Sequence, residues 1–118
     1  MNSASFAETK RVVVQWISTN KARLEKENIT VEIIENNKER LYIILDFKEC
    51  MAAITVAEPE FAPYRFVSFE AADIINGIPK IVHAWYDGEQ TTSEDITKNL
   101  NETIYSVSEY IRAKTNKH

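Results

Sequence analysis

Acid-base chemistry needs a titratable pair held together, and one stretch of the sequence offers it. Asn76-Gly77 supplies the two positive-φ residues of a type I′ turn. A regular hairpin turning on them sets Ile75 opposite Ile78, Asp73 opposite Lys80 and Glu70 opposite His83. Cross-strand partners share a face, so Glu70 is expected beside His83, where a carboxylate orients an imidazole or raises its pKa. No nucleophile or third group stands at a spacing that completes a constellation. The ordinary reading is therefore a cross-strand ion pair, and no residue is assigned as catalytic.

Other chemistry finds less support. His83 and the terminal His118 are the only histidines and Cys50 the only cysteine, with none of the short ligand spacings that prearrange zinc. Asp87-Gly88-Glu89 places acids about a turn but lacks the oxygen ladder of a calcium loop. The chain has two glycines, so Gly-rich phosphate cradles are excluded as motifs. Cys50 begins an apolar run with Met51 and has no basic cluster around it, which reads as a buried thiol rather than a reactive one. No cofactor and no metal are implied.

Charge bears on partners. The net charge is −4, and residues 29–60 hold seven acids against three bases. Proteins that track phosphates concentrate Lys and Arg on one face, so nucleic acid and anionic membrane are disfavoured, and a basic or neutral protein surface fits better. The N-terminus shows no signal-type apolar segment and no stretch approaches membrane-spanning length, so the default expectation is a cytoplasmic location with no membrane association.

Which elements would position such groups? At 118 residues with 44% hydrophobic residues, the chain has material for one domain and one core. Ser5-Phe6-Ala7-Glu8 has capping-box spacing, and Phe6, Val13, Ile17 and Leu24, widened by Val14 and Trp16, mark one face of a helix ending near Asn28. The period then drops to two. Ile29 to Ile34 and Leu41 to Phe47 form a hairpin about Glu35–Glu39, and a third strand covers about 51–57 after a turn at Lys48-Glu49. Pro59 and Pro63 interrupt the sheet with an ordered loop, before the hairpin about Asn76-Gly77. A short helix over 69–76, capped by Ser68 and ended by Gly77, is the alternative to part of the fourth strand. Thr91 to Asp95 stack cap residues and acids ahead of Ile96, Leu100, Ile104, Val107 and Ile111, a helix of about five turns with a frayed tail from Lys114.

The expected fold is α+β, an antiparallel meander of about five strands with both terminal helices on one face, in the order αβββββα. In outline this is similar to small bacterial secretion chaperones and to several toxin-neutralising immunity proteins, an architectural likeness that no motif accompanies. Tyr42 and Ile44 fall on the second face of the sheet, and Trp85 is a large group on a strand whose other face must be covered. Phe61 and Tyr64, in the proline-rich loop, either fold back on the core or anchor a partner. These five residues are the candidates for binding. The function that follows is a non-catalytic protein-binding domain, with two rivals: a small enzyme built on Glu70 and His83, or a structural homodimer.

Overall fold

The computed structural model describes residues 3–116. In chain order the elements are α1 (Phe6–Lys26), β1 (Thr30–Asn36), β2 (Leu41–Asp46), β3 (Met51–Val56), β4 (Val67–Ile75), β5 (Ile78–Tyr86) and α2 (Ser93–Thr115). The strands lie side by side in sequence order, every neighbouring pair antiparallel, so the fold is the expected αβββββα meander.

Alternation along the strands decides which face is dry. Leu41, Ile43 and Leu45 of β2, Ala52, Ile54 and Val56 of β3, and Val67, Phe69 and Ala71 of β4 are buried against Val13, Trp16, Ile17 and Leu24 of α1 and Ile96, Leu100, Ile104 and Val107 of α2. Each fully buried Leu, Ile, Val or Phe contributes about 1.5–3 kcal/mol relative to exposure, so this one face carries most of the folding free energy. Residues 69–75 are strand, not helix, and Asn76 begins the turn, because Phe69 is fixed on both sides, paired with Ile54 of β3 and Trp85 of β5. The positive φ of Asn76 (54°) and Gly77 (77°) turns the chain as a type I′ turn requires.

The helix ends show where local signals were redirected. Ser5 caps α1 by accepting the Glu8 N–H, but Glu8 does not close a capping box: its carboxylate accepts the Ser93 hydroxyl at 2.7 Å and ties the start of α1 to that of α2. Midway along the same seam, Trp16 Nε1 donates to Asn101 Oδ1 at 2.9 Å. Thr92 and Asp95 do form a reciprocal capping box. Asn28, with φ 66°, turns the chain out of α1.

The C-terminal part of α2 corrects the expectation of fraying from Lys114. The helix has 23 residues and runs through Thr115, over a turn longer than anticipated. Its last turn is anchored on Asp73 of β4, which is only 3% exposed and accepts from both Lys114 Nζ and Tyr110 Oη at 2.7 Å. The Lys114 ammonium, followed by the Tyr110 hydroxyl, holds the Asp73 carboxyl below its ordinary 3.8. Asn116 caps the helix, and the last two residues of the expected tail, 117 and 118, lie outside the described residues.

Candidate functional site

The helices leave the second face of the sheet uncovered, and the pairing register lays its residues out in three rows. The first runs Thr30, Asp46, Met51, Ala72, Ile81; the second Glu32, Ile44, Ala53, Glu70, Ala84; the third Glu35, Tyr42, Thr55, Ser68, Tyr86. Beyond the first row, the Ile74 and Pro79 pair extends the face toward the hairpin turn. Its centre is apolar. Met51, Ile74 and Ile81 are 52%, 60% and 57% exposed, and Tyr42, Ile44, Ala53, Ala72, Ala84 and Tyr86 are half-buried by one another. Large side chains exposed together on one face, rather than scattered singly, are the usual mark of an interaction surface.

Polar groups on this face are carboxylates and hydroxyls. At its rim Arg40 lies 4.5 Å over the Tyr42 ring and pairs with Glu35. Asp46 Oδ1 accepts the Lys48 N–H at 2.8 Å, which supports the turn into β3, where Lys48 has φ 75°. Glu70 accepts the Tyr86 hydroxyl, and that carboxylate raises the Tyr86 pKa above its ordinary 10.0. Neither Glu32 nor Glu70 forms an ion pair with a cation among the described residues.

Glu70 and His83 are not neighbours. The register is regular from Ile75 opposite Ile78 to Ala72 opposite Ile81, and then Ala71 pairs with His83, leaving Val82 without a partner. This β-bulge moves every later β5 residue by one position and so to the other face. Glu70 therefore sits opposite Ala84 on the open face. His83 lies on the helix-covered side, its ring 6.3 Å from that of Phe69 in an edge-on arrangement. The physical cause is packing, because Val82 itself turns against the core. The same shift corrects the placement of Trp85, which is opposite Phe69 and packs against the core instead of joining the binding face.

The loop aromatics divide. Tyr64 stacks on Tyr86, ring centroids 6.5 Å apart and planes 21° from parallel, and so closes one corner of the open face. Phe61, which could have folded back on the core, is 96% exposed at the loop surface. What fixes the loop is Asp87: its Oδ1 accepts the N–H groups of Arg65, Phe66 and Val67 at 2.8, 2.9 and 3.0 Å. Of the sequence candidates, the structure thus gathers Tyr42, Ile44 and Tyr64 on one face and leaves Phe61 beside it on a tethered loop. Met51, Ile74 and Ile81 were missed, although Met51 could have been found from the Met51, Ala53, Thr55 alternation.

Elsewhere, an open groove of about 840 Å³ runs between the helices, lined by Arg11, Gln15, Trp16, Asn20, Lys98 and Asn101 among others. Two of its amides are engaged, Asn101 accepting from Trp16 across the helix seam and Asn20 donating to the Trp16 carbonyl within α1 at 2.8 Å. Among the described residues no group of three His, Cys, Asp or Glu side chains could hold a metal ion, and no helix is long and apolar enough to cross a membrane. Compared with protein-family models, with curated proteins and with solved structures, the chain matches none.

Proposed function

We propose that the protein is a non-catalytic binding domain that holds a protein partner on the uncovered face of its sheet. The observation that carries this reading is the contiguous apolar centre of that face, from Tyr42 and Ile44 through Met51 and Ala72 to Ile74 and Ile81, with no helix above it. Aromatic and Met side chains in the middle of a patch with a polar rim are the composition of an interface core. The rigid meander beneath fits a surface that presents these groups without ordering cost.

The rival reading of a Glu70 and His83 acid-base pair loses its geometric basis, because the sheet separates the two side chains. The test is co-purification from lysate of the source organism with three baits: the wild-type protein, a Tyr42→Ala/Met51→Ser variant, and an Arg112→Ala control on α2. A protein recovered stoichiometrically by wild type and control but lost by the face variant, with all three baits melting within a few degrees of one another, is the expected result. Equal recovery by all three baits would remove the sheet face as the binding surface.

A further inference from the structure

The open face has a charge pattern as well as an apolar centre, and the pattern selects between kinds of occupant. Resting on the reading of this face as a binding surface, we propose that its occupant is a segment of a different protein, apolar at its centre and carrying Lys or Arg on either side, rather than a second copy of this chain. The anchor points for the cations are Glu70 and Glu32. They lie in the same row with Ile44 and Ala53 between them. Three strand spacings separate them, about 14 Å.

An occupant that covers Glu70 strips water from a carboxylate whose only side-chain partner among the described residues is the Tyr86 hydroxyl. A buried carboxylate without a cation is strongly unfavourable, so the covering surface must bring one. Within these rows a second copy has none to bring. The three rows contain no Lys or Arg, and Arg40 at the rim is already paired with Glu35. Two-fold pairing presents only the same inventory to itself. If each strand crosses over its own copy, Glu32 meets Glu32 and Glu70 meets Glu70. If β1 lies over β5, Glu70 is buried beneath Ile44.

Size points the same way. Five strands and three rows span about 19 by 14 Å, an area on the order of 270 Å². That falls short of the ~800 Å² that each partner buries in a stable interface of standard size. A short segment with its own charges suits this surface better than a rigid duplicate.

The test uses a random 16-residue peptide library displayed on phage, selected in 50 mM salt against wild-type protein and against an Ile44→Ser/Met51→Ser variant whose folding is verified by circular dichroism. The expected result is a wild-type-dependent set of sequences with apolar centres flanked by Lys or Arg. Their affinity should fall by up to about fivefold with Glu70→Gln and again with Glu32→Gln, and these two losses should fade in 500 mM salt. Sequences that depend on the face but carry no basic enrichment would overturn the charge assignment and leave the binding surface standing. Equal enrichment on wild type and variant, or none on either, would overturn both. Sedimentation equilibrium showing a micromolar dimer that Ile44→Ser/Met51→Ser dissociates would put a second copy on the face and refute the proposal.

Discussion

Removing the Asp87 side chain should cost more than removing any other acid, because one carboxylate organises the entire exit from the proline loop. Its Oδ1 accepts three successive backbone N–H groups, those of Arg65, Phe66 and Val67, and Oδ2 adds a second contact to Phe66 at 3.1 Å. In Asp87→Ala the buried Val67 donor is left unsatisfied, a cost of about 1–3 kcal/mol, and the two half-buried donors lose charge-assisted bonds that water replaces only in part. The sum is about 3–5 kcal/mol, a large share of the 5–15 kcal/mol typical of a domain. Asp87→Asn keeps an acceptor at the Oδ1 position but not the charge, and should lose about 1–2 kcal/mol. Urea titration followed by far-ultraviolet circular dichroism measures this directly: with a slope of roughly 1.5 kcal/mol/M, the Ala variant should unfold at about 2–3 M less urea. Hydrogen exchange at residues 58–66 should quicken in parallel. A loss below about 1 kcal/mol in Asp87→Ala, or equal losses in Ala and Asn, would refute the view that this carboxylate is the clamp.

Four further outcomes follow from the two faces and the anchors. Ile43→Ala should cost about 2–5 kcal/mol while Ile44→Ala one position on costs less than about 1 kcal/mol, a contrast that chemical denaturation resolves because only Ile43 is fully buried under the helices. The depressed pKa of Asp73 adds stability that is present above its ordinary 3.8 and lost as pH falls through the lower folded value, and the raised pKa values of Tyr110 and Lys114 add stability lost as pH climbs past 10.0 and 10.5. Asp73→Asn should therefore flatten both limbs of a plot of Tm against pH. Cys50 is buried and its thiol is pushed up first by that burial, so a thiol reagent at pH 8 should leave the native protein unlabelled and label one thiol per chain in urea. Deleting Val82 removes the unpaired residue but keeps Ala71 opposite His83 and Phe69 opposite Trp85, so by urea unfolding it should cost only the packing of the Val82 side chain, about 1–3 kcal/mol, and a loss above about 5 kcal/mol would show that the bulge itself is required.

Most of the fold was legible because its signals are local and agree with one another. The stripes of α1 and α2, the alternation of β2, the cap at Thr92 and the Asn76-Gly77 turn each name an element without reference to any other. The hairpin was read correctly for the four pairs nearest its turn, from Ile75 opposite Ile78 to Ala72 opposite Ile81. The error lay one residue further on. A bulge leaves no pattern of its own at Val82, because Val suits a regular strand equally well, and the decision is made by how Val82, His83 and Trp85 pack under α2. Lys114 was misjudged for a related reason. Its partner Asp73 lies 41 residues away, and a terminal Lys beside Thr and Asn carries no local sign of an anchor.

The candidate site was legible to the degree that it depends on alternation, and illegible where it depends on register. Tyr42 and Ile44 follow from their own strand, since any strand with Leu41, Ile43 and Leu45 inside must put them outside. Whether Trp85 joins them cannot be read from β5 alone, because one unpaired residue sends the whole end of the strand to the opposite face. That single shift takes His83 away from Glu70, and it simultaneously places Tyr86 where its hydroxyl reaches the Glu70 carboxylate and its ring receives Tyr64. The bulge at Val82 thus removes the geometry for acid-base chemistry and builds the polar corner of the open face. The loss of the enzymatic reading and the polar corner of the open face accordingly rest on one physical feature, the unpaired residue at Val82.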